Sequence, residues 1–237
     1  MKGRRLDTVY FGGGTPTTLE PEQLDRLLNE LEADFDMSTV KELTVEAGRP
    51  DSVTAQKLEV LKKHGVDRIS INPQTMNDKT LRVIGRAHTA QQVEEAYAMA
   101  RTANIHHINM DVIAGLPGEN IDDFARTMDA ALRLKPESLT VHTLAIKRGA
   151  DLTDKAAAAA QHETVSRMLD YAYHALPQAG YGPYYLYRQK NMAGNFENVG
   201  YAAPGKACIY NVLIMEEQQT IIGCGAGTTR VIFSGYF

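Results

Sequence analysis

The 237-residue chain has no tryptophan, two cysteines and no block of like charge. Two thiols, Cys208 and Cys224, make no disulfide framework, and their spacing matches no zinc or iron–sulfur pattern. A reducing, cytoplasmic setting is therefore expected. The formal net charge is −4, with Lys and Arg scattered, which excludes the basic footprint of a nucleic-acid binder. No apolar run approaches the roughly 20 residues that span a bilayer, so no membrane partner is expected. The opening residues, MKGRRLD, run straight into an apolar strand and carry neither the apolar core nor the cleavage site of a signal peptide.

The composition that remains is ordinary for a globular protein, 43% hydrophobic and 23% charged, and long enough for one sizeable core. Strands are expected at residues 6–11, 42–46, 68–72, 107–114 and 138–145. Helices at 21–35, 52–64, 78–84, 90–103 and 121–134 separate them, and a long helix follows at 153–179. Leu24, Leu27, Leu28 and Leu31 fall on one helical face, and Ser52 reads as an N-cap. Strands joined through helices imply parallel βαβ units, in a doubly wound sheet or a barrel; in both, ligands gather at the carboxyl ends of the strands. From Tyr181 the texture becomes Tyr- and Gly-rich, with short strands expected at 207–215 and 219–223. The expected organisation is residues 1–180 as an α/β barrel unit and 181–237 as a small C-terminal α+β extension.

The residues that follow the strands carry the candidate chemistry. Gly12, Gly13 and Gly14, then Thr15, let backbone groups approach a ligand closely. Glu46 ends the second strand, where a carboxylate suits a ligand ammonium. Gln74 follows the third, and Arg86 offers a guanidinium for a carboxylate. Asp111 lies inside an apolar strand, where it is costly unless paired, so it is expected to face a polar ligand or cavity. Together these suit a zwitterionic, ribose-bearing ligand. His106 and His107 are adjacent on a strand and cannot share one metal inside a barrel. Tyr181, Tyr184, Tyr185 and Tyr187, with Arg188 and Lys190, suit either a tetrapyrrole pocket or packing on the barrel.

Five segments, YFGGGTP at 10–16, TVEAGRP at 44–50, RISINPQTMN at 68–77, NMDVIAGLPG at 109–118 and GCGAGTT at 223–229, together resemble the radical S-adenosylmethionine superfamily. The likeness is to its oxygen-independent coproporphyrinogen III oxidase-like branch, and the variants at 46–50, 72–76, 142–148 and 190–195 resemble the coproporphyrinogen dehydrogenase subgroup. The resemblance implies a partial TIM-type (β/α)6 barrel that lacks the family's first strand and cluster loop. It implies that residues 12–15 hold the methionine amino group of S-adenosyl-L-methionine, with Glu46 assisting. Gln74 and Arg86 would bind the ligand's polar groups, Asp111 the ribose, and the turn at Gly115 would lie near adenine. Lys147 and Arg148 would meet substrate propionates. The family's chemistry needs a Cys-x3-Cys-x2-Cys loop holding a [4Fe–4S] cluster, which generates a 5′-deoxyadenosyl radical from S-adenosyl-L-methionine. No such triad is in this chain, so the cluster is expected only in a longer protein, and Cys208 and Cys224 are expected to be buried residues. The implied activity is oxidative decarboxylation of coproporphyrinogen III to protoporphyrinogen IX in haem biosynthesis, with a tetrapyrrole substrate and a reductant protein as electron donor. The alternative is a non-catalytic haem- or nucleoside-binding homologue.

Overall fold

The computed structural model describes residues 5–144, 155–187, 196–217 and 219–225. Five strands, Thr8–Phe11 (β1), Glu42–Glu46 (β2), Arg68–Ser70 (β3), His107–Ala114 (β4) and Ser138–Thr143 (β5), pair in chain order, all parallel. Gly182–Tyr187 (β6) and Asn198–Ala202 (β7) join the same sheet, giving the order β1-β2-β3-β4-β5-β7-β6. Strand β7 is antiparallel to β5 and to β6.

Local chemistry fixes where the covering helices begin. Pro21–Asp34 (α1), Ala90–Thr102 (α4) and Ile121–Leu134 (α5) each start with a reciprocal capping box, made by Glu20 and Gln23, Thr89 and Gln92, and Asn120 and Asp123. Ala55–Lys63 (α2) is capped by Thr54, not by Ser52, which lies in a short 3-10 turn. Asp78–Val83 (α3) is capped by Asn77, and Lys155–Gln178 (α6) is the long helix. No helix among the described residues is long and apolar enough to cross a membrane.

Strand periodicity then sorts the side chains. Outward-pointing Leu43, Val45, Ile69, Ile71, Ile108, Met110, Val112, Leu139 and Val141 are buried against the helices. They meet Leu58, Leu61, Ala96, Phe124, Met128 and Met168. Each such side chain contributes about 1.5–3 kcal/mol by leaving water, an upper estimate given a compact unfolded chain. The alternate residues point to the other, concave side, and nearly all are polar.

Ile209–Met215 is a helix (α7), which corrects the strand expected at 207–215; residues 219–223 likewise form no strand beyond an isolated bridge at Ile221. The apolar run IYNVLIM satisfies either period, and tertiary contacts decide. Helix α7 packs on both β1 and β6, the two edges of the sheet. Tyr210 stacks on Tyr10 at 4.4 Å, and the Asn211 amide donates to the Tyr184 hydroxyl at 3.3 Å. A helix that touches the first and last strands requires the sheet to curl into a half-barrel. The two strands that sequence reading missed, β6 and β7, form its closing wall.

The amino-terminal floor of the half-barrel is a buried polar knot. Arg68 Nε donates to Glu42 at 3.1 Å, and both residues are at most 4% exposed. Arg68 also donates to Ser138 Oγ and to the carbonyls of Lys206 and Ala207. Glu42 accepts from the backbone N–H groups of Ile209 and Tyr210, at the start of α7, and from the Cys208 thiol. Removing one partner of such a pair strands the other charge. Arg68→Met is expected to cost about 3–5 kcal/mol, and adding Glu42→Gln to recover part of it; urea denaturation of both variants checks this.

Candidate functional site

The concave face carries polar residues at every second strand position: Glu42, Thr44 and Glu46; Arg68 and Ser70; His107, Asn109 and Asp111; Ser138, Thr140 and His142. The lower members are sealed beneath residues 206–210. The upper ones form a rim at the carboxyl ends of the strands.

At one side of the rim, Glu46 is held by two donors, the Tyr10 hydroxyl at 2.6 Å and the Gly13 backbone N–H at 3.1 Å. Burial, reinforced by the Glu46 carboxylate, pushes the Tyr10 phenol up, so it stays a donor. A side chain at Gly12 would meet the Tyr10 ring at 2.5 Å and Glu46 at 3.1 Å, so only glycine permits this approach. Gly13 and Gly14 take positive φ, as does Thr15 at φ 131°.

Across the rim, Gln74 and Asp111 are joined through backbone. Gln74, at φ 65°, donates its N–H to the Asp111 carbonyl and accepts from Ile113 N–H. Its side chain is 7% exposed. The next residue anchors the loop: Thr75 Oγ1 donates to Glu119 at 2.6 Å and also contacts Thr127. Asp111 accepts from the Asn109 amide at 2.8 Å, and its second oxygen is 3.6 Å from His142 Nε2. Burial pushes the Asp111 carboxyl up, but His142 and then Asn109 outweigh it, leaving the group below its ordinary range and ionised at neutral pH.

Arg86 makes no hydrogen bond to this set. It follows α3 and lies on the adjoining loop, two residues before His88, whose Nε2 bonds the Pro73 carbonyl at 3.2 Å. Burial above all, with the charges of Arg86 and Arg49, holds the His88 imidazole low. Gly115 has φ 86°, and a side chain there would also meet Val165 of α6 at 2.8 Å, so backbone conformation and packing both require its glycine. Lys147, Arg148, Arg188 and Lys190 lie outside the described residues.

Of the four tyrosines, Tyr181 belongs to the packing, donating to the Pro136 carbonyl. Tyr185 and Tyr187 reach the concave face, bonding Thr140 and His142 respectively. Sequence reading missed Tyr10 and Asn109, the buried Thr44 and Ser70, and the half-buried Asn72. In each of the last three, one polar side-chain atom lacks a hydrogen-bond partner among the described residues. Buried polar atoms of this kind are satisfied by water or ligand. The alternating polar letters on β2 to β5 were the signal.

S-adenosyl-L-methionine suits this rim in kind: it brings together an anchored carboxylate, a glycine turn, an ionised aspartate and buried polar side-chain atoms without a protein partner. A [4Fe–4S] cluster does not fit. Cys208 sits on the floor, where burial and then Glu42 push its thiol up to about 12. Cys224 is exposed, correcting the expectation that it is buried. Among the described residues no group of three His, Cys, Asp or Glu side chains is arranged to hold a metal ion. The surface groove lined by Asn77, Lys79, Asp123 and Arg126 lies among the outer helices and shares no residue with the rim.

Five parallel strands curled into a half-barrel, with polar side chains at their carboxyl ends, define a class, the α/β barrel proteins. The particular family is shown by residues 1–131, which match the family described as the Radical SAM superfamily, and the chain belongs to it. The cofactors of that superfamily are S-adenosyl-L-methionine and a [4Fe–4S] cluster. The chain is 50% identical over 226 residues to the oxygen-independent coproporphyrinogen-III oxidase-like protein HemZ of Bacillus subtilis, covering 94% of this chain and 45% of HemZ. It is 36% identical over 143 residues to the heme chaperone HemW of the same organism, covering 60% of this chain and 38% of HemW. Its fold resembles coproporphyrinogen III oxidase HemN from Escherichia coli, with a TM-score of 0.68 and 23% identity over 90% of this chain and 46% of that one. The chain thus spans about half the length of the relatives it matches.

Burial pushes the Glu119 carboxyl up. A raised carboxyl binds its proton more tightly when folded. Its stability contribution is therefore largest below about pH 4 and is lost as pH rises through the folded value. Glu119→Gln is expected to raise the melting temperature at about pH 7.5 and to leave it unchanged at about pH 4, as thermal scans at both pH values would show.

Proposed function

We propose that this chain is the S-adenosyl-L-methionine-binding half-barrel of a radical S-adenosylmethionine oxidoreductase acting on coproporphyrinogen III in haem biosynthesis. The observation that carries the reading is the convergence of the Glu46–Gly13 pair and the Gln74–Asp111 pair on one polar rim. In this reading residues 12–15 and Glu46 take the ammonium end of the ligand, and Asp111 accepts the ribose hydroxyls. Arg86 takes the carboxylate, Gln74 shapes the loop beneath it, and Gly115 lets α6 close behind β4. Lys147 and Arg148 are proposed to meet the propionates of a tetrapyrrole. The cluster ligands and the reductant protein lie outside this chain, and no step of the reaction is assigned to its own cysteines.

The likeness to HemW supports a second reading, in which the same barrel serves haem delivery rather than oxidation. One experiment separates them. A longer protein containing this chain, reconstituted anaerobically with iron and sulfide and given S-adenosyl-L-methionine, a one-electron reductant to cleave it and an electron acceptor for the substrate radical, is expected to convert coproporphyrinogen III to protoporphyrinogen IX with release of carbon dioxide. Stable haem binding without that conversion would favour the delivery reading. Within the chain, Asp111→Ala is expected to weaken binding of S-adenosylhomocysteine by at least about tenfold, the scale of a hydrogen bond to a charged group. Calorimetric titration measures it, and unchanged affinity would remove Asp111 from the ribose role.

A further inference from the structure

Asp111 does not stand alone on the concave face. His142, on the neighbouring strand β5, brings Nε2 to 3.6 Å from Asp111 Oδ2. Its other nitrogen, Nδ1, lies 3.1 Å from the Tyr187 hydroxyl at the end of β6. The rings of His142 and Tyr187 meet edge-on, with centroids 6.3 Å apart. Tyr185 runs parallel to Tyr187 and bonds Thr140, beside Asn109. A chain of polar contacts thus crosses the inner wall from β4 to β6, over the intervening β5 and β7. Gly200 of β7 makes the crossing possible: a side chain there would lie 1.8 Å from the Tyr185 ring.

The chemistry of imidazole orders this chain. The tautomer with its N–H on Nε2, towards the Asp111 carboxylate, leaves Nδ1 as an acceptor. Among the described residues Nδ1 meets the phenol of Tyr187, whose O–H donates to it. At 3.6 Å the His142–Asp111 contact is electrostatic rather than a full hydrogen bond, so it directs the carboxylate without occupying all of its lone pairs. Each oxygen keeps an acceptor position for a ligand hydroxyl.

We infer that His142 and Tyr187 are positioning residues for nucleoside recognition: Tyr187 fixes the imidazole tautomer, and His142 fixes Asp111 to accept the two ribose hydroxyls. The inference rests on the adenosyl reading above and extends the site to β6. The residues after 180 thereby help to hold the nucleoside, which sequence texture alone assigned to an appended region.

The test compares S-adenosylhomocysteine with an analogue lacking both ribose hydroxyls, by calorimetric titration of the whole chain. His142→Leu and Tyr187→Phe are expected to lose about tenfold in affinity for the first ligand and nothing for the second, with melting temperatures held. His142→Gln, whose amide N–H replaces Nε2–H, is expected to restore most of the loss. Equal losses for both ligands would mark a merely structural role and overturn the inference. So would unchanged affinity in both variants while Asp111→Ala still loses binding. If the unaltered chain binds neither ligand, the adenosyl reading itself fails, and this inference fails with it.

Discussion

The half-barrel depends on the ion pair between Glu42 and Arg68. It joins the first residues of β2 and β3 and, through hydrogen bonds to 206–210, ties the far end of the chain to the floor of the sheet. Two charges taken out of water gain little net energy from each other, and their value lies in the penalty for separating them. Glu42 faces the N-terminal N–H groups of α7, where the backbone dipole favours a negative charge. The ion pair therefore selects where α7 sits, and α7 in turn bridges the two sheet edges through Tyr10 and Tyr184.

Above that floor, polarity is organised by depth. Low on the concave face every described group of the knot finds a protein partner. Near the rim some do not, and Asn72 and Ser70 each keep a buried polar atom without one. Glu46 and Asp111 are held by neutral donors and by an imidazole, so both remain available as acceptors facing the concavity.

Much of this was legible from residue order. The five parallel strands and their helices follow from apolar periodicity; the glycines and Gln74 were singled out because they follow strands, Glu46 because it ends one, and Asp111 because it is a charge inside one. Strand β6 was hidden because GPYYLY carries a proline and glycine and reads as loop, whereas its pairing is set by β7 and by the ring of Tyr185 lying over Gly200. Helix α7 was misread because IYNVLIM is apolar at both periods and Glu42, 167 residues away from Ile209, decides the outcome. The Arg68 and His142 roles were hidden for the same reason: each depends on partners that only the closed sheet brings near.

The alternation of side chains across β2 to β5 divides labour by parity. Outward letters supply most of the cohesion of the protein, since they meet the covering helices. Inward letters near the rim hold no hydrophobic contacts that folding needs. Drift at even steps along a strand can therefore retune what the concavity recognises while odd steps keep the scaffold intact, which gives such a half-barrel wide latitude to change its cargo without losing its shape.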